Sequence, residues 1–104
     1  MEKLQPFDVK GIARYLLDQD LNGEPLHLHV SEVGPGGRSH PPHQHGGLES
    51  IYMLAGEGVF EIGAERHLMG AGAAVTFDPR KLHGLINESA APMRYLVILV
   101  QGEN

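Results

Sequence analysis

From residue 12 to residue 101 the chain is a succession of short apolar or alternating runs, and nowhere does an apolar stripe persist at helical spacing over three turns. The runs predict strands at Ile12 to Leu17, Leu26 to Val33, Glu49 to Ala55, Gly58 to Ile62, Arg66 to Met69, Ala74 to Phe77, Leu82 to Ile86 and Met93 to Gln101. Between them stand turn formers: Asn22-Gly23, Gly34 to Gly37, Gly46-Gly47, Gly56-Glu57-Gly58, Gly63-Ala64, Gly70 to Gly72, Asp78-Pro79 and Ala90-Ala91-Pro92. About eight short strands with no helix make an all-β protein. Such antiparallel chains hide their edges by closing into a barrel or a two-sheet jelly roll.

Two strands are apolar on both faces. Ile51 and Met53 alternate with Tyr52 and Leu54, and Tyr95, Val97 and Leu99 alternate with Leu96, Ile98 and Val100. One face of each needs a cover from outside the barrel, either the N-terminal strand or a second subunit. A homodimer is the expectation.

At 104 residues there is chain for one core, so a single domain spans 1–104. A formal charge of -5 and the absence of any basic run longer than Arg80-Lys81 argue against a nucleic-acid partner. Residues 1–8 lack the apolar run of a signal peptide, and no apolar stretch reaches the length of a membrane span, which makes a cytoplasmic protein without a membrane partner the expectation. Zero cysteines remove disulfides and thiolate chemistry, so any metal must be held by imidazole and carboxylate.

His43-Gln44-His45 followed by Glu49 offers that set. Residues two apart on an extended segment point the same way, so His43 and His45 can present their rings to one point. Gly46-Gly47 lets the chain bend, and Glu49 opens the next strand with its carboxylate returning toward that point. Two imidazoles and a carboxylate suit one divalent transition metal, whether Fe, Mn, Ni, Cu or Zn, and leave positions open for water or substrate.

Parity identifies a second group. His27 and His29 share the face of their strand opposite Leu26, Leu28 and Val30, and in a barrel with a metal inside that polar face can look into the lumen, to orient a substrate or to support the ligands. Ile51 and Met53 share parity with Glu49 and should line the lumen above the metal, with Tyr95, Val97 and Leu99, or the alternate set, as another wall. His40 and His67 have no partner at metal spacing and are placed on the surface. Asn87 is read as a turn-forming residue.

Gly37, five residues, His43-x-His45, three residues, Glu49, six residues and Gly56 resembles the first motif of the cupins in full. Gly72, His83 eleven positions on and Asn87 four further resemble the outer frame of the second cupin motif, while Asp78, Pro79 and Arg80 depart from its interior. The resemblance covers 34–87, with flanking strands in 11–33 and 93–101. It implies a double-stranded β-helix, or jelly-roll barrel, with His83 joining His43, His45 and Glu49 around the metal. It further implies a metal-dependent enzyme on a small organic substrate, with dioxygenase-type chemistry, Glu49 as a proton acceptor and His29 as an orienting group. Isomerase, epimerase or lyase chemistry and non-catalytic ligand binding remain open beside it.

Overall fold

The structure, a computed structural model, describes residues 25–101 together with the backbone of 7–9 and 13–20. Nine strands follow in chain order: β1 (Phe7–Val9), β2 (Ala13–Asp20), β3 (Leu26–Val33), β4 (Leu48–Ala55), β5 (Glu57–Ile62), β6 (Glu65–Gly70), β7 (Ala74–Phe77), β8 (His83–Ile86) and β9 (Met93–Val100). Among the described residues there is no helix. All the strand pairs are antiparallel and build a six-stranded sheet in the order β1-β2-β3-β9-β4-β7 and a three-stranded sheet in the order β6-β5-β8. This is the all-β jelly-roll barrel that the strand pattern predicts.

The strands differ from expectation mainly at the N-terminus. β1 adds a ninth strand where only three alternating residues give a signal, and β2 runs three residues past Leu17 by taking in the polar Asp18, Gln19 and Asp20. Ladder hydrogen bonds to β3 hold those polar positions extended, although the residues carry no apolar pattern. Ile12 and the Asn22-Gly23 turn lie outside the described residues.

The two sheets close on a core of Val33, Ile51, Met53, Phe60, Met69, Phe77, Leu85, Met93, Tyr95 and Val97, drawn from both. Its packing leaves no room for a side chain at Gly56 or Gly58. Gly56 turns β4 into β5 at φ +76°, and a Cβ there would lie 2.3 Å from the Pro92 carbonyl oxygen. Asn87 is fully buried and ties the strand ends: its Nδ2 donates to the carbonyls of Val33 (3.0 Å) and Ala91 (2.8 Å), and its Oδ1 accepts from the Ser89 amide (2.9 Å) and hydroxyl (2.7 Å).

The inner face of the larger sheet is organised in rows across β3, β9 and β4. Ser31, Tyr95 and Met53 make the deepest of these rows; His29, Val97 and Ile51 the next; His27, Leu99 and Glu49 the outermost. The outer face of the same strands leaves Leu26, Leu48, Tyr52, Leu54, Ile98 and Val100 exposed. β1 and β2 extend the sheet edgewise beyond β3, so they do not lie over this face.

Candidate metal centre

Residues 34–47 between β3 and β4 form an irregular arm that crosses to the smaller sheet. Hydrogen bonds tie it to Asn87, Pro79 and Arg80, and three further contacts set the ligand-bearing end. His43 forms an isolated antiparallel bridge with His83 at the start of β8. Arg38 Nη1 donates to Glu61 Oε1 at 3.0 Å on β5. Ser39 Oγ and the Tyr95 hydroxyl share a buried hydrogen bond of 2.9 Å. Gly84 lets the arm settle on β8, since a Cβ there would meet Arg38 Nη1 at 2.9 Å and Pro42 Cγ at 3.2 Å.

So held, the arm brings His43 and His45 to His83, each offering a nitrogen, and the three nitrogens lie within 4.8 Å of one another. The ring centroids are 4.7–5.0 Å apart. The Glu49 carboxylate joins them from the start of β4, with Oε1 2.9 Å from His45 Nε2 and 3.5 Å from His83 Nε2. Donor atoms around one ion with bonds of about 2.1 Å stand about 3.0–3.4 Å apart, so this separation is one a common ion would impose.

The far nitrogens fix the rings. His45 Nδ1 faces the Gly46 carbonyl and His83 Nδ1 the Lys81 carbonyl, each at 2.9 Å, which selects the tautomer with Nε2 free to ligate. His83 Nε2 is buried and makes no hydrogen bond. A buried ring nitrogen with a carboxylate oxygen 3.5 Å away fits a metal cation, or in its absence a proton that pairs the ring with Glu49.

The electrostatics favour the ligating protonation state at His43 and Glu49, while His83 must give up a proton to ligate. Burial, followed by the neighbouring imidazoles of His40, His83 and His45, lowers His43 to about 4, so its ring is neutral and ready to ligate at neutral pH. Burial pushes Glu49 upward, but His83, His45 and His43 outweigh it and hold the carboxyl below its ordinary value. Burial pulls His83 downward, and Glu49 with the Lys81 carbonyl overcomes this and raises it.

The centre opens on a cavity of about 380 Å³, near the lower end of the roughly 300–1,000 Å³ usual for small-molecule sites. Of the residues read from sequence, His27, His29, His43, His45, Glu49, Ile51, His83, Tyr95, Val97 and Leu99 all line it. His67 stays on the surface beside Glu65.

Two expectations are corrected. Met53 has the inward parity but no exposure, because it sits in the deepest row, behind Tyr95, and packs with Met93 and Leu85 around Gly58. It belongs to the core and not to the lumen wall. His40 is not a surface residue: it lines the cavity with its ring stacked on His43, centroids 4.3 Å apart. Pro41-Pro42 interrupts the strand-like alternation and lets two residues three apart come side by side. Gly84, Leu85 and Gln101 also line the cavity without a signal in the sequence. Behind His83, Phe77 stands 4.7 Å away and Phe60 another 4.7 Å beyond, so the ring of this ligand rests on the aromatic core.

The sequence profile of the cupin domain family matches residues 24–99. Among solved structures, a protein of Thermus thermophilus is 30% identical with a TM-score of 0.69, over 78% of this chain and 77% of the other. An RmlC-like cupin from Shewanella frigidimarina superposes with a TM-score of 0.81 at 16% identity, over 98% and 87%. A structure described as a predicted oxalate decarboxylase from Thermotoga maritima gives 0.74 at 23% identity, over 86% and 79%. No curated protein matches the chain.

Proposed function

The chain belongs to the cupin domain family, and on that premise we propose that it binds one divalent transition metal through His43, His45, His83 and Glu49 and acts on a small organic molecule with dioxygenase-type chemistry. The observation that carries the reading is the convergence of three imidazoles, with the Glu49 carboxylate beside them, on the wall of an open cavity. A cavity holding both polar groups and the apolar Ile51, Leu85, Val97 and Leu99 suits a partly apolar substrate. Fe, Mn, Ni, Cu and Zn are all compatible with nitrogen and oxygen ligands of this kind. The chemistry supplied by such an ion is polarisation of a substrate oxygen and, for a redox-active metal, electron transfer to dioxygen.

The protein's own groups do the rest. Glu49, ionised at neutral pH, accepts a proton from the substrate, and His29, two strands away on the same inner face, orients it. The Ser39–Tyr95 hydrogen bond holds the arm that carries two of the ligands. Elemental analysis of protein purified without chelator, followed by oxygen-uptake screening of small organic compounds, tests this reading. A stoichiometric redox metal with substrate-dependent oxygen consumption is the expected result, and turnover indifferent to oxygen would replace it with isomerase or lyase chemistry.

The exposed apolar face of β3, β9 and β4 supports a homodimer, because Leu26, Leu48, Tyr52, Ile98 and Val100 form one patch on adjacent strands. Light scattering should give twice the chain mass, and a concentration-independent monomer would rule this out.

A further inference from the structure

The three imidazoles of the metal centre are held in different ways. His45 and His83 each turn Nδ1 to a backbone carbonyl at 2.9 Å, and the Phe77 ring backs that of His83. Among the described residues no carbonyl or side chain takes a hydrogen bond from the His43 ring. Rotation of an imidazole about its Cβ–Cγ bond is soft, so this ring needs another hold. His45 and His83 meet it at interplanar angles of 84° and 64°, whereas the His40 ring lies flat on it at 29°, centroids 4.3 Å apart. His40 is itself fixed from both sides. Ser39 before it is buried and shares its hydroxyl hydrogen bond with Tyr95, and Pro42 after it packs so closely on Gly84 that a Cβ there would lie 3.2 Å from Pro42 Cγ. Pro41 and Pro42 have rigid φ angles, and His40 Nδ1 faces the Pro41 carbonyl at 3.0 Å.

We infer that His40 is the positioning residue for His43: its ring, stacked flat on the His43 ring, keeps that imidazole turned toward His45, His83 and Glu49. This rests on the metal-centre reading above and adds to it a residue that does not ligate. The nitrogens that lie within 4.8 Å of one another belong to His43, His45 and His83, and His40 is outside that group. Its contribution is therefore a ring face and not a lone pair. The stack restricts the rotation that would swing the His43 nitrogen away from its partners. An imidazole that gives its lone pair to a divalent cation also becomes electron-poor, and an aromatic face beside it is attracted more strongly for that reason.

Zinc competition against a chromophoric chelator tests the inference on His40→Ala, His40→Asn and His40→Phe. The phenylalanine variant keeps a ring without a nitrogen, and the asparagine variant keeps a polar group without a ring. His40→Phe should bind zinc within about twofold of the unsubstituted protein. His40→Ala and His40→Asn should each bind roughly three- to tenfold more weakly, the range expected for the loss of one aromatic stack. Cobalt(II) in the same site adds a readout that a general loss of stability does not move: its visible bands should coincide in the unsubstituted protein and His40→Phe, and shift in the two ringless variants as the His43 ring turns. If His40→Ala does not fold, the asparagine and phenylalanine variants carry the comparison. Full zinc affinity in both ringless variants, or a loss in His40→Phe as large as theirs, would overturn the role of His40 and leave the metal centre standing. Failure of the unsubstituted protein to take up zinc would overturn the metal centre and this role together.

Discussion

His43 and His83 face each other across an isolated antiparallel bridge in which the amide of each donates to the carbonyl of the other, both at 2.9 Å. Two ligands forty residues apart in the chain thus have their backbones fixed to one another before any ion arrives. This preorganisation leaves His45 and Glu49 as the groups whose loss can be read most simply. His45→Ala and Glu49→Gln should each weaken zinc binding by roughly 10–100-fold with the fold retained. Competition against a chromophoric chelator measures this, and unchanged affinity in both would remove the metal assignment.

The metal-free protein should be most stable near pH 6.5. His43 is held at about 4, so between 4 and 6.5 the unfolded chain takes up a proton that the folded site refuses, and stability rises with pH. His83 is held above 6.5, so above that value the folded protein retains a proton that the unfolded chain has lost, and stability falls with pH. Glu49, held below its ordinary 4.5, contributes stability present above 4.5 and lost as pH drops through its lowered value. Thermal denaturation in chelator across the acid-to-alkaline range should trace this maximum. His43→Ala should flatten the acid side and His83→Ala the alkaline side.

How much of the fold and site is legible in the sequence depends on which force fixes each residue. Glu49, Ile51, Val97 and His29 follow strand parity, and parity is visible in a sequence because the side-chain period in a strand is two. Met53 obeys the same parity and still misses the lumen, since depth along a barrel is set by what closes its far end, here Tyr95 and Met93 from the distant strand β9. His40 escapes a reading by parity because Pro41-Pro42 breaks the period locally. β1 escapes because a three-residue edge strand carries almost no pattern. The pairing of His43 with His83 is long-range, and only the family motif makes it readable.

Gly56 and Gly63 separate two costs that a glycine can hide. Both have positive φ, +76° and +57°, but a Cβ at Gly56 would overlap the Pro92 carbonyl while one at Gly63 meets nothing within 4 Å. Gly63→Ala should cost about 1 kcal/mol, the backbone strain alone, and Gly56→Ala more than about 2 kcal/mol. Urea denaturation measures the difference; equal losses would contradict the packing described at the β4–β5 turn.

Asn87→Ala removes a buried amide that makes four hydrogen bonds, takes a donor from the Val33 carbonyl and leaves the Ala91 carbonyl to the Ser89 hydroxyl. A loss on the order of 3 kcal/mol is expected, with zinc affinity unchanged if the role is confined to tying strands. A stable variant with altered zinc binding would instead connect this residue to the site.

Because the cross-strand register locks β3, β9 and β4 into rows, the lumen is a ladder whose rungs are about 6.6 Å apart, two residues of rise. The rung bearing Glu49 is at the mouth, the rung bearing His29 is one step in, and Ser31 with Tyr95 seals the bottom. Reach into this protein therefore changes in discrete steps. Trimming Val97 or Ile51 lengthens the usable shaft while leaving the ion-holding rung untouched, so the size of the accepted molecule and the chemistry done to it can be altered independently.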